Sequence, residues 1–368
     1  MNRPIRILHT ESSCGWGGQE IRILTEMAGM VERGYELHLL CPVEAKIYSA
    51  AKNNSLPVTA VPIARKNIAG LLAMRSWLKN NPVDVVVTHS STDSWLTAVA
   101  CQTIAAPPKI IRLRHVSAPV GNNFSTRWLY NTAAKHIVTT GKCISSELAN
   151  TNRFAAERIT TISTGIDLTK FIPGDKTVAR EKLGLDESEQ LIGSIATLRS
   201  WKGHHHLIEA FSQLDEAKKN LRLVIVGDGP RREYLHDMVV ELGLEERVLF
   251  TGNQEDTVTW FQALDIFVLA SYANEGIPQA LMQAMACGLP VIGGDVGGIP
   301  ETIDDRKTGF LFPPQNVPAL VSALQRFIKE PQLAVDMGRA AHRAAQENFA
   351  IDIMLDKMES VIKSVLQG

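Results

Sequence analysis

The sequence predicts an α/β protein made of two doubly wound, parallel-sheet domains, and three observations carry that expectation. A chain of 368 residues, 45% hydrophobic and 21% charged, is long enough for two separately cored domains. Short β-branched runs alternate with longer amphipathic stretches, the pattern of parallel sheets covered by helices. The series of alternations occurs twice, with a stretch rich in Gly, Pro and charge between the two.

In the first series the strand-like runs are IRILHT, ELHLLCP, VDVVVTHS, KIIRLRH and HIVTTG. Helix-like segments follow them, such as EIRILTEMAGMVERG, closed by Gly34. The second series reads QLIGSIATL, LRLVIVGDG, RVLFTG, DIFVLAS, LPVIGGD and GFLFP. Between them, residues 163–187 (STGIDLTKFIPGDKTVAREKLGLDE) read as the interdomain linker. No internal repeat or low-complexity tract interrupts the pattern.

Charge and cysteine usage exclude several classes. The formal net charge of −1 gives no general case for nucleic acid, and none is expected as a partner. The halves differ, however: residues 1–170 hold 19 Lys+Arg against 11 Asp+Glu, an excess of +8, and the remainder is −9. A cationic half suits an anionic membrane surface or acceptor, and uneven solvated faces explain the excess equally well. The candidate amphipathic membrane contact is residues 124–138 (FSTRWLYNTAAKHIV), because Arg127, Lys135, Trp128 and Tyr130 combine charge with interfacial aromatics. The five cysteines are odd in number, widely spaced and lack a C-x-x-C pair, against a disulfide framework or a zinc site, so a reducing cytoplasm is expected. No apolar run has the length of a membrane span and the N-terminus lacks a signal-like apolar region, so any contact with the inner membrane is expected to be peripheral.

Ligands of open parallel sheets bind beyond the carboxyl ends of the strands, and three such loops carry chemistry. In SSCGWGGQE, Gly15, Gly17 and Gly18 permit close backbone approach and Glu20 opens the helix, but the G-x-G-x-x-G fingerprint fails after Gly17. On its own the loop is a weak phosphate signal, and a tight structural turn explains it better. In ATLRSWKGHHHLIEAF, Arg199 and Lys202 on one strand-to-helix loop can neutralise a diphosphate. His204, His205 and His206 are consecutive, point in different directions, and suit a structural role better than a shared metal. In residues 271–292, Glu275 precedes a Gly-x-Pro turn that enters an apolar helix, which is either an acidic cap or one wall of a sugar-phosphate site.

Taken in order, WKGHHHLIEAF, LVIVGDGPRREYL, VLFTGN, EGIPQALMQAMACGLPVI, GGIPETI and TGFLFPP resemble the C-terminal domain of the retaining, family-four glycosyltransferases of the GT-B fold (glycosyl transferases group 1), as found in bacterial lipopolysaccharide and surface-polysaccharide synthesis. The upstream GGQEIRILTEMAGMVERGYEL is similar to that family's N-terminal loop and helix. The likeness covers nearly the whole chain. It implies two Rossmann-like domains facing a cleft: an acceptor-binding domain over 1–170, a nucleotide-sugar-binding domain over 171–350, and a terminal helix, 351–368, packing back on the first.

The resemblance also implies roles. Glu275 would bind donor-sugar hydroxyls, and the backbone N–H groups of Gly276 and Ile277 at the helix start would hold phosphate. Pro278, lacking an N–H, suits the first helical turn. The family's second glutamate, which grips the ribose, is replaced here by Gln283, an amide that can accept and donate without charge. The family's arginine five residues before the lysine is Thr197 here, and Arg199 stands two positions later, so Lys202 is the firmer transfer. His115 in RLRHVSAP resembles the histidine directed at the donor sugar, with a core histidine as its rival. Gly17, Gly18 and Asp228 complete the donor set; His89, Asp228 and Glu301 each have an ordinary turn or helix-start explanation. The expected reaction is metal-independent hexosyl transfer with retention, from a nucleoside diphosphate sugar, expected to be a UDP-sugar, to a hydroxyl of a glycan or glycolipid, with no cofactor. A nucleotide-sugar epimerase and a non-catalytic nucleotide-sugar binding partner, the latter suggested by Gln283 and Thr197, remain alternatives.

Overall fold

The computed structural model describes residues 3–368 apart from 117, 215–219 and 274. The chain divides into two compact units, one of residues 1–165 with 351–368 and one of residues 166–350.

The first unit holds a seven-stranded sheet, β1 (Arg6–Thr10), β2 (Glu36–Cys41), β3 (Val58–Ala60), β4 (Val85–Thr88), β5 (Lys109–Arg114), β6 (Ala134–Thr139) and β7 (Ile159–Thr161), in the order β3-β2-β1-β4-β5-β6-β7. Every pairing is parallel. Its central runs are apolar because helices cover both faces: Val85, Val86 and Val87 are all fully buried. The order reverses direction of winding between β1 and β4, so the loops after β1, β4 and β5 lie side by side at the carboxyl edge.

The helix Ile351–Gln367 belongs to this unit and buries Met354, Leu355, Met358, Val361, Ile362 and Val365 in the core beside β1. Burying each such side chain is worth on the order of 2 kcal/mol. Its approach to the helix Gly18–Glu32 needs Gly29, since a Cβ there would lie 2.4 Å from Leu355 Cδ1. Arg33 fastens the same helix through Asp352 at 3.1 Å and Asp356 at 2.6 Å.

The second unit holds six parallel strands, β8 (Gln190–Ile195), β9 (Leu221–Val226), β10 (Val248–Gly252), β11 (Ile266–Leu269), β12 (Val291–Gly294) and β13 (Gly309–Phe312), in the order β10-β9-β8-β11-β12-β13. The reversal falls between β8 and β11, and the loops after those two strands are neighbours.

Four differences from the sequence reading have physical causes. Strands β3 and β7 are absent from that reading because each is three residues long, lies at a sheet edge and holds no fully buried residue. Residues 163–187 are not a linker: the chain passes between units at 165–166, and the helix Lys176–Leu183 within that stretch buries Ala179 in the second unit's core. Pro278 is the N-cap of the helix Gln279–Ala286 rather than part of its first turn. Residues 124–138, which combine Phe124, Arg127, Trp128, Tyr130 and Lys135, form no single amphipathic helix. They break into a helix, Phe124–Trp128, a π-turn and β6, with Tyr130 buried against Phe154.

Candidate active site

In the second unit the loop after β8 forms a 3-10 turn, Ser200–Lys202, closed by Gly203 in the left-handed region at φ +68°. Only glycine fits there, because a Cβ would stand 1.9 Å from the Ala270 carbonyl oxygen. That close approach brings the turn against the loop after β11, where Tyr272 N donates to Trp201 O at 2.9 Å. Lys202 Nζ thereby reaches Glu275 Oε1 at 2.6 Å, and Ser271 Oγ donates to the same oxygen at 2.6 Å. Glu275 is buried, and these two partners stand in for the water its carboxylate has lost. Gly298 supports the arrangement from the loop after β12, donating to Glu275 O at 3.3 Å.

Glu275, Gly276 and Ile277 thus run directly into the N-terminus of the helix Gln279–Ala286, the positive end of its dipole. Gln283 is half-buried on that helix, whereas Leu281, Met282, Ala284, Met285 and Ala286 are buried. Arg199 does not join the Lys202–Glu275 contact: it is exposed, with its guanidinium 5.3 Å from the Trp201 ring. Asp228 accepts from Gly229 N at 2.7 Å and from Arg232 at 3.2 Å, which is turn chemistry. His204 is buried with both ring nitrogens unpartnered, and burial pushes it down to about 3. Among the described residues no group of three His, Cys, Asp or Glu side chains is arranged to hold a metal.

In the first unit, His9 on β1, His89 after β4 and His115 after β5 come together because their strands are adjacent. His9 Nδ1 lies 2.9 Å from His89 Nε2, and His89 Nδ1 lies 3.0 Å from His115 Nε2. Burial, then neighbouring cations and imidazoles, holds His89 well below its ordinary value; burial, then Arg22 and Arg112, does the same for His115. Beyond His9 lies the buried pair of Arg22 and Glu26, one helical turn apart. Burial raises Glu26, and Arg22 opposes it.

A second polar cluster flanks this row. Asp93 closes a capping box with Ser90 and accepts from Thr10 Oγ1 at 2.7 Å and from His89 N at 2.9 Å. Glu11 accepts from Ser13 N at 2.7 Å and from the Gln19 amide. Burial, with Asp93 nearby, pushes the Glu11 carboxyl up to about 8. Gly17 and Gly18 stand at the start of the helix Gly18–Glu32, Gly17 as an extended N-cap.

The sequence reading named His115, Lys202 and Glu275 but not His9, Glu11, Arg22, Glu26, Asp93 or Ser271. Two signals were present. His9, His89 and His115 each stand at the end of a strand run, and Arg22 with Glu26 has the spacing of a surface ion pair. Only the tertiary cover over that helix face turns the latter into a buried charge pair.

Two family descriptions match: Glycosyltransferase Family 4 over residues 16–170 and Glycosyl transferases group 1 over residues 175–344. Among curated relatives, the N-acetyl-alpha-D-glucosaminyl L-malate synthase of Bacillus anthracis is 30% identical, matching 57% of this chain and 54% of its own length. The lipopolysaccharide core biosynthesis mannosyltransferase LpsB of Rhizobium meliloti is 30% identical over 56% of this chain and 61% of its own. The D-inositol 3-phosphate glycosyltransferase of Mycobacteroides abscessus is 30% identical over 76% of this chain and 60% of its own, so the chain spans roughly half to three fifths of the curated relatives it matches. Among solved structures, a Rickettsia africae glycosyltransferase superposes with TM-score 0.90 at 22% identity over 100% of both chains. Anabaena HepE, solved with UDP-glucose, superposes with TM-score 0.86 at 21% identity over 98% of this chain and 100% of that one. These last two likenesses concern the fold. With both matched segments falling on the two parallel-sheet units, the chain belongs to glycosyltransferase family 4, a GT-B protein whose second unit is a group 1 glycosyl transferase domain.

Proposed function

We propose that this glycosyltransferase moves a hexosyl group, with retention, from a nucleoside diphosphate sugar to a hydroxyl of a glycan or glycolipid acceptor in lipopolysaccharide or surface-polysaccharide synthesis. The observation that carries the reading is the Lys202–Glu275 contact of 2.6 Å at the start of the helix Gln279–Ala286. It joins a carboxylate able to accept from sugar hydroxyls, a cation able to neutralise a leaving diphosphate, and the positive end of a helix, suited to phosphate. The name of the relative LpsB supports the acceptor class, and HepE, solved with UDP and with UDP-glucose, supports a UDP-sugar donor.

In this reading Lys202 offsets the charge that develops as the glycosidic bond to the diphosphate breaks, Arg199 assists once it leaves Trp201, and no metal is required. Glu275, Gly276, Ile277 and Pro278 orient the sugar phosphate, Gln283 meets the ribose, and Asp228, Gly17 and Gly18 border the donor. His115 contacts the sugar. The attacking hydroxyl approaches the face that the diphosphate leaves and passes its proton to a departing phosphate oxygen. The protein works at the cytoplasmic face of the inner membrane through a peripheral contact. Among the described residues no helix is long and apolar enough to cross a membrane.

The test is a panel of UDP- and GDP-sugars, screened first by thermal shift, then for transfer to extracted lipopolysaccharide acceptors in EDTA, with the product's anomeric configuration read by NMR. A ligand at a hundred times its Kd adds about 3 kcal/mol of stability. Turnover that vanishes in EDTA and returns with magnesium overturns metal independence, and an inverted product overturns retention. The uncharged Gln283 favours a second reading, a nucleotide-sugar binding protein, which stabilisation without turnover against any acceptor would support; interconversion of the donor sugar alone would mark an epimerase.

A further inference from the structure

Three imidazoles and a buried ion pair stand in one row in the first unit. The rings of His9 and His89 are inclined by 14° and those of His89 and His115 by 32°, with centroids 5.2 Å apart in both pairs. The nitrogen separations of 2.9 and 3.0 Å are shorter than stacked rings allow, so the rings meet edge to edge through N–H···N hydrogen bonds. At the inner end, His9 Nε2 lies 4.0 Å from Glu26 Oε1, and Glu26 Oε2 lies 3.6 Å from Arg22 Nε. Arg22 is anchored by donating to Ile162 O at 2.7 Å.

Hydrogen counting leaves the row two states. Each N···N contact holds one hydrogen, since two would collide and none would set lone pair against lone pair. Three neutral imidazoles carry three ring hydrogens, so two fill the contacts and the third sits at one end of the row. That end is either His9 Nε2, facing Glu26, or His115 Nδ1. A guanidinium keeps its charge at any working pH, and Glu26 is the carboxylate paired with it. A carboxylate 4.0 Å from His9 Nε2 attracts the hydrogen to that end.

We propose that the Arg22–Glu26 pair fixes, through His9 and His89, the tautomer of His115: all three rings carry their hydrogen on Nε2, and His115 Nδ1 is a bare acceptor for a hydroxyl of the bound sugar. The last clause rests on the functional reading above; the tautomers do not. His9, His89 and Glu26 are positioning residues, and the device selects a ligand group that donates a hydrogen bond at this point over one that only accepts.

The experiment is a long-range proton–nitrogen correlation spectrum of the full-length protein labelled with 15N-histidine, assigned with single His→Gln variants. The expected result is a hydrogen-bearing Nε2 and a bare Nδ1 on all three rings. A hydrogen on His115 Nδ1 in the unsubstituted protein overturns the proposal. Glu26→Gln is expected to move or average the His115 signals and to weaken a UDP-sugar about tenfold while leaving UDP alone unchanged. Unmoved His115 signals in that variant also overturn it. Should Glu26→Gln fail to fold, the spectrum of the unsubstituted protein still decides. Should the protein bind no nucleotide sugar, the tautomers are read regardless, and only the functional reading fails.

Discussion

Removing the lysine of the Lys202–Glu275 pair tests the second unit's site through stability as well as rate. Lys202 Nζ and Ser271 Oγ both sit 2.6 Å from Glu275 Oε1, and the two charged side chains are 18% and 6% exposed. Lys202→Ala leaves a nearly buried carboxylate with one hydroxyl. Breaking a fully buried pair from one side costs about 3 to 5 kcal/mol. Water reaches this ammonium, so the expected loss is about 2 to 3 kcal/mol, a fall in melting temperature of roughly 5 to 10 °C for a unit of this size. Adding Glu275→Gln removes the orphaned charge and keeps an acceptor for Ser271, so the double variant should recover about 1 to 2 kcal/mol. Activity should behave oppositely: Lys202→Ala lowers kcat more than donor affinity, as expected for charge that develops in the transition state, and the double variant stays impaired. The assays are urea and thermal melts of the four proteins alongside steady-state transfer. Additive destabilisation, or a Lys202→Ala protein as stable as the original, refutes the electrostatic reasoning.

Three further outcomes are expected. Because Gln283 is half-buried on a helix whose neighbouring residues are buried, Gln283→Glu should fold normally and keep or raise donor affinity, while Gln283→Ala should weaken it by about 1 to 3 kcal/mol; calorimetric titration showing unaltered affinity in Gln283→Ala rejects the ribose contact. Glu11 is raised to about 8 chiefly by burial, so the folded state holds its proton where the unfolded chain has released it. Its contribution is therefore fully present below the ordinary glutamate range and is lost as pH rises towards 8, by an amount on the order of several kcal/mol. Glu11→Gln should flatten that decline, and parallel melts from pH 5 to 9 with equal slopes would reject the reasoning. On the helix Ile68–Asn80, Ile68 and Leu72 are 76% and 58% exposed beside the exposed cations Arg65, Lys66 and Lys79, a surface suited to anionic lipid; Ile68→Asn with Leu72→Asn should lower sedimentation with anionic vesicles, and identical sedimentation with anionic and neutral vesicles removes the membrane contact.

Most strands were legible because a parallel strand buried on both faces is a continuous apolar run, as in Val85–Val87, and needs no partner to be recognised. The edge strands β3 and β7 lack that signal: each is half-buried and three residues long, and the sheet supplies what the local sequence does not. The stretch 163–187 misled for a related reason. Its Gly, Pro and charges mark turns correctly, but the helix Lys176–Leu183 between them is short and mostly polar, and it is held by a few contacts, such as Arg180 donating to Asp265 at 2.7 Å. Lys202 and Glu275 could be named because each stands in a recognisable segment. Their mutual contact could not, since it depends on Gly203 admitting the Ala270 carbonyl.

The first unit shows a limit of a different kind. It buries His9, Glu11, Glu20, Arg22, Glu26, His89, Asp93 and Arg112, whereas the second unit buries only Arg180, His204 and Glu275 among comparable groups in the described residues. Such groups do not improve stability: each loses hydration, and apolar side chains of similar volume often replace a buried ion pair at no loss. Their placement is uneven within the unit too. They gather towards the carboxyl ends of β1, β4 and β5 and on the helix face above, while Ile7 and Leu8 of β1, Val85, Val86 and Val87 of β4, and Ile110 and Ile111 of β5 are apolar and buried. A fold that only had to pack its sheet would spread apolar residues to this edge as well. Concentrating titratable groups there, with Glu11 pushed up to about 8 and the imidazoles held down, is what a site requires when it must present fixed donors and acceptors to a ligand in a region with little water. In the proposed reading the chemistry of this unit lies in residues that pattern reading assigns to the core, because a buried functional residue and a buried packing residue occupy the same positions in the periodicity of a strand or helix.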